Sequence, residues 1–140
     1  MARTRRRTRT PPPQRLILDS DAVIALSRND VRARATLAAA REAGVEVSIP
    51  SVVVAETVRG SAKDAKVNRV IKSVGDVTTA DEDTGRVAGA LLGAAKSTST
   101  SDALVVASVI ELGGGVVLTG DPEDLEPLAD GHPEVVISAL

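Results

Sequence analysis

Four carboxylates stand where this sequence could carry chemistry. Asp19 closes the apolar run RLIL, and Asp121 follows VVLTG. Glu56 interrupts the apolar stretch SVVVAETV, and Asp102 leads DALVVASVI. Each also has an ordinary use: Asp19 as the cap of a following helix, Asp102 at a helix N-terminus, Asp121 in the turn before Pro122, Glu56 at a partly exposed helical position. Convergence would make them distinctive. Ionised carboxylates are rarely buried without a partner or a metal, and several in one site repel one another unless a cation holds them. Ligands that are all oxygen favour Mg2+ or Mn2+. Such ions activate water and neutralise phosphate in phosphodiester cleavage.

Composition removes the competing chemistries. The 140 residues contain no Cys, so thiolate zinc sites, disulfides and cysteine nucleophiles are excluded. His132 is the single histidine, which rules out a two-histidine zinc site within one chain. With no Phe, Trp or Tyr, base stacking on sheet aromatics is impossible, and the core must be built from Val, Leu, Ile and Ala. The net charge of −2 hides a split: six of the 17 basic residues lie in the first 15, while residues 16–140 carry a net −8. The most apolar stretch, around Ala103–Ile110, falls far short of the ~20 residues of a membrane helix. Asp19 and Asp21 interrupt any secretory apolar region after the arginines, so a cytoplasmic protein is expected.

The elements that must position the acids alternate along the chain. Residues 1–14, MARTRRRTRTPPPQ, predict a disordered Arg/Pro-rich arm, and residues 15–140 predict one domain. RLILD reads as a buried strand and SDAVIALSRN as a helix. A second helix runs from a cap at Asp30 to a stop at Gly44, followed by the strand VEVSI. Pro50 and Ser51 start a helix that Gly60 closes, and Ala62–Val74 places Val67, Val70, Ile71 and Val74 on one face. DVTTA is a weak strand, and residues 80–95 are a helix begun by acids. STSTS reads as a polar loop before the apolar helix DALVVASVIEL; VVLTGD, PEDLEPLA and EVVIS then give strand, helix and strand. This predicts an α/β fold with a mostly parallel sheet covered on both faces. Ligands of such sheets bind at the carboxyl ends of the strands, where Asp19 and Asp121 fall.

LILDSDAVIAL, IPSVVVAETVRG and SDALVVASVIELGGGVVLTGDPEDL, taken in order, resemble the PIN-domain nucleases, specifically the VapC-type toxins of toxin–antitoxin pairs. The resemblance spans roughly residues 15–138 and leaves the Arg-rich arm outside it. It matches Asp19 to the family's acid after the first strand, Glu56 to its helical glutamate and Asp102 to its "D-A-hydrophobic" acid. Thr119 and Asp121 match its "T-x-D" motif. The resemblance implies a PIN-like three-layer sandwich with about five strands, the first and fourth adjacent. It further implies a Mg2+- or Mn2+-dependent endoribonuclease, a homodimer, and inhibition by a small cognate antitoxin. Asp21 departs from the small or hydroxylic residue usual at its position, and no aromatic follows Asp121.

In this reading Asp19, Asp102 and Asp121 hold a metal, and Glu56 binds the same or a second ion or orients the attacking water. Thr119 positions Asp121 through its hydroxyl, with Asp21 and Asp124 as supporting acids. Arg59, Lys63, Lys66 and the arm residues Arg5, Arg6 and Arg7 are the candidates for holding RNA on an otherwise acidic body. Two other readings compete. Asp19-Ser20-Asp21-Ala22-Val23 also resembles the nucleophile motif of haloacid-dehalogenase-like phosphatases, in which Asp21 would be the general acid. That reading leaves Glu56 and Asp102 without a role. A catalytically inactive PIN-like binding module is the other. A phosphoacceptor receiver domain lacks the Lys it requires near its last strand, since none follows Lys96.

Overall fold

The computed structural model describes residues 14–140. Almost all of the Arg/Pro-rich arm, with Arg5, Arg6 and Arg7, therefore lies outside the described residues. The elements run β1 (Arg15–Leu18), α1 (Ser20–Ser27), α2 (Val31–Glu42), β2 (Glu46–Pro50), α3 (Ser51–Thr57), a 3₁₀ turn (Ala62–Asp64), α4 (Ala65–Val74), β3 (Val77–Thr78), α5 (Glu82–Ala95), α6 (Thr100–Glu111), β4 (Gly115–Thr119), α7 (Pro122–Ala129) and β5 (Val135–Ala139).

The five strands form one sheet in the order β3-β2-β1-β4-β5, and every pairing is parallel. From β1 the chain moves outward to β2 and β3, then returns across the sheet to β4 on the other side of β1. Right-handed crossovers put α1–α4 on one face and α5–α7 on the other. The packing agrees: α1 contacts α2, α3 and α4, while α5, α6 and α7 contact one another. The reversal of direction falls between β1 and β4, whose register sets Leu16, Ile17 and Leu18 opposite Val116, Val117 and Leu118.

The strands hold because they are buried on both faces. Ile17, Leu18, Ile49, Val117 and Leu118 are almost wholly excluded from water. So is α6 at Ala103, Val105, Val106, Ala107 and Val109, which explains why its sequence is apolar all round. Among the described residues no helix is long and apolar enough to cross a membrane.

Local chemistry moves three boundaries from their expected places. The helix holding Glu56 stops at Thr57, not at Gly60: Val58 is extended, and Gly60 turns the chain at φ +79°. Residues 62–74 begin as a 3₁₀ turn, capped by Ser61 and Asp64 in a reciprocal capping box. The stretch expected as a polar loop contributes the first turn of α6, so Asp102 is the third residue of that helix rather than its first. Gly44 and Asp30 behave as expected, the former at φ +74° and the latter accepting the Ala33 amide.

The bend after α3 depends on Asp64. Its buried carboxylate accepts the backbone amides of Arg59 at 3.0 and 3.1 Å, Gly60 at 2.7 Å and Ser61 at 3.2 Å. These bonds, Arg59's foremost, hold it below the usual carboxylate range. A depressed acid stabilises the fold above its unfolded value near 3.8 and loses that contribution as pH falls through its folded value. Asp64→Asn should lower Tm at neutral pH, and its deficit against wild type should shrink below about pH 4. Melting curves across pH check this; a deficit independent of pH would contradict it.

Candidate active site

The site is built around one side chain. Asp19 directly follows β1 and is only 6% exposed. Its backbone amide continues the ladder to the Leu118 carbonyl at 3.0 Å, so the carboxylate stands at the carboxyl end of the β1/β4 pair. It occupies the cap position of α1 without capping it through its side chain. Oδ2 instead accepts the Thr119 hydroxyl at 2.8 Å.

Thr119 was expected to position Asp121 through its hydroxyl, and that contact is present together with a second one to Asp19. Its hydroxyl hydrogen goes to Asp19, and its oxygen accepts the Asp121 backbone amide at 3.0 Å. A single buried hydroxyl thus ties the ends of the two central strands, fixing the backbone of Asp121 rather than its carboxylate.

Two other acids bear on Asp19. Burial is the main influence pushing its carboxyl up from the ordinary range; Thr119 and the Ser20 amide oppose this, and the negative charges of Asp102 and Glu56 add to it. Glu56, in the last turn of α3, is exposed and accepts the Ser20 hydroxyl at 2.6 Å. Asp102, half-buried in the first turn of α6, accepts the Ser99 hydroxyl at 2.5 Å. Ser20 and Ser99 escaped the sequence analysis. The S-x-x-D spacing of Ser99 and Asp102 was a helix-start signal that could have found the second pair.

Asp121 turns elsewhere. Asp21, hydrogen-bonded to it and repelling it, holds its carboxyl above the ordinary range. This approach is possible because residue 120 is glycine: a Cβ there would stand 2.6 Å from Asp21 Oδ2. Asp124 lies exposed in the first turn of α7, where its amide donates to the Asp121 carbonyl at 3.0 Å. The four main candidates therefore form two neighbouring sets, Asp19 with Asp102 and Glu56, and Asp121 with Asp21.

Among the described residues no three such side chains have closed into a metal cage. The donor set still fits a hard divalent cation. All the donors are oxygens, and acids bear on one another with a buried carboxylate at the centre. Mg2+ retains several waters and is held by one or two carboxylates plus substrate phosphate, so an open arrangement suits it.

The basic candidates separate. The Arg59 guanidinium folds back onto the end of α3, donating to the Ala55 carbonyl at 3.1 Å and the Val58 carbonyl at 2.8 Å. Lys63 is exposed in the 3₁₀ turn. Lys66, on α4, lines a groove away from the acids.

Comparison with known proteins agrees with this architecture. The PIN domain family model matches residues 16–129. VapBC2 from Rickettsia felis, bound to a DNA fragment from its promoter, superposes with a TM-score of 0.72 at 12% identity, covering 91% of this chain and 99% of that one. A toxin–antitoxin complex from Klebsiella pneumoniae gives 0.65 at 21% identity, with 86% and 95% covered. DNA-bound VapBC from Salmonella typhimurium gives 0.65 at 15%, with 90% and 98% covered. At these identities the likeness is one of fold. No curated protein sequence matches this one.

A buried acid pressed by other acids costs stability when no cation is present. Asp19→Asn keeps an acceptor for Thr119 and removes the charge. In chelator it should raise Tm by about 2–5 °C. A thermal melt showing a lower Tm would contradict this electrostatic account.

Proposed function

Because the chain belongs to the PIN domain family, we propose that it is a Mg2+- or Mn2+-dependent endoribonuclease, the VapC-type toxin of a toxin–antitoxin pair. The observation that carries the proposal is the Asp19 carboxylate: buried, tied to Thr119 at the β1/β4 reversal, and loaded by the charges of Asp102 and Glu56. Thr119 and the Ser20 amide favour its charge, while burial first and the Asp102 and Glu56 charges after it oppose that charge, an opposition that a cation would relieve. The phosphatase reading gives Asp102 and Glu56 no task.

Asp19, Asp102, Asp121 and Glu56 are the residues that would hold the metal. When bound, it supplies an activated water and neutralises charge on the scissile phosphate. Thr119 holds the Asp19 carboxylate through its hydroxyl and anchors the Asp121 backbone, so both residues stay at the end of the β1/β4 pair. Ser20 steers Glu56 from the first residue of α1, placing an exposed carboxylate to orient the attacking water and take its proton. Ser99 fixes Asp102 in the same way from the start of α6.

A small antitoxin partner and a homodimeric state belong to the same proposal. The antitoxin is supported by the solved neighbour from Klebsiella pneumoniae, a toxin–antitoxin complex.

Purified protein should cut RNA with Mg2+ or Mn2+ and stop in chelator, and Asp19→Asn should lose about a hundredfold or more of that rate. Equal cleavage by wild type and folded Asp19→Asn would overturn the assignment.

A further inference from the structure

A second set of acids lies at the amino ends of the strands, away from Asp19. Two adjoining hollows of about 530 and 450 Å³ open between α5, α7, β5 and the loop of residues 130–134, and they share Glu126, Asp130 and His132. No Lys or Arg lines either one. Ala90 and Ala94 of α5, with Pro127 and Pro133, give this groove an apolar floor. Among the described residues neither Glu126 nor Asp130 has an ion-pair partner, and Glu134 has only His132, at 3.6 Å. A third cleft, of about 330 Å³, runs from Gln14 past Gly113, Gly114 and Gly115 to Glu134 and the exposed Val136. Gly114 stands at φ +117°, and a Cβ there would lie 2.8 Å from the Glu134 carbonyl oxygen, so this stretch of the cleft stays free of side chains. Residues 1–13 join the domain in this cleft: Gln14 lines it, and its carbonyl accepts the Glu46 amide at 3.2 Å.

We infer that the acid-rimmed groove between α5, α7 and β5 is the docking surface for this chain's own residues 1–13. Charge complementarity is the first argument. Residues 1–13 carry Arg3, Arg5, Arg6, Arg7 and Arg9 and no acid, and the groove carries acids and no Lys or Arg. Place is the second. The cleft at Gln14 reaches Glu134 and Val136, and the groove takes in Val135 and Ile137 of the same strand. Length is the third. Thirteen residues reach at most about 40 Å, well beyond the ~17 Å of a five-residue strand. Pro11, Pro12 and Pro13 have no amide hydrogen to leave unpaired in crossing the glycines and Val136. Arginine stems can lie on Ala90, Ala94 and Pro127 while their heads meet Glu126 and Asp130. Exposed ion pairs are weak one by one. A short tether supplies its segment at an effective concentration of about millimolar, so such contacts hold in cis where a separate peptide would not stay bound. The inference does not depend on the ribonuclease reading, whose acids stand at the other ends of the strands.

The composition supplies the reporters for a test by NMR on the full chain. With no native Cys, a nitroxide spin label goes only to an introduced Thr8→Cys. With no Phe, Trp or Tyr, the ring signals of His132 are the only aromatic side-chain signals, and His132 lines the groove. The label at residue 8 should broaden the His132 signals at low salt, and about 0.5 M NaCl should remove the effect. A label at Thr36→Cys on α2 should leave them sharp. Glu126→Gln with Asp130→Asn, both exposed positions, should cut the ratio of docked to free arm about fivefold. Glu42→Gln with Asp83→Asn removes the same charge outside the groove and should leave that ratio nearly unchanged. His132 signals that stay sharp with the label at residue 8, or an equal loss in the two double variants, overturn the docking surface. So does broadening centred on the amides of Asp19 and Asp102, which would put the arm on the proposed active site. Broadening of isotope-enriched, unlabelled protein by spin-labelled copies mixed with it overturns docking in cis.

Discussion

Asp19 has lost nearly all contact with water, and the arrangement around it follows from that. A buried carboxylate needs hydrogen-bond donors, a counter-charge, or both. The fold supplies one donor from the strand next door, the Thr119 hydroxyl on Oδ2. It supplies more negative charge instead of a counter-charge, because α3 and α6 bring Glu56 and Asp102 to bear on the same group. A cation resolves that conflict. Without one the site is a local cost carried by the buried aliphatic sheet beneath it.

The topology explains why the conflict arises here. A parallel sheet whose strand order reverses opens a crevice between the two strands at the reversal, and β1 and β4 are those strands. Asp19, directly after β1, and Thr119-Gly120-Asp121, where β4 ends, lie at that crevice. Helices α3 and α6 then need only start or stop near the same edge to add their acids. Gly120 lets Asp21 reach Asp121, so the crevice gains a carboxylate from the first turn of α1.

Much of this was legible in the sequence, for identifiable reasons. RLIL and VVLT are short apolar runs ending in polar groups, and strands buried on both faces leave little alternative. The adjacency of β1 and β4, implied by the family resemblance, is present in the sheet. What escaped was tertiary. Polarity alone made STSTS look like a loop, although Thr100 and Ser101 form the first turn of α6 behind Ser99. Thr119 donates to a residue 100 positions away, a partner no local pattern reveals. Arg59 looked free to hold RNA, yet it closes the end of its own helix.

The most direct test of the central claim is calorimetric titration of Mn2+ into wild-type protein and into Asp19→Asn, with no RNA present. The account predicts binding by wild type and a loss of at least about tenfold in affinity in the variant, because removing the central charge removes the reason for the cation. Equal Mn2+ affinity in the two proteins, or no binding by either, would contradict it.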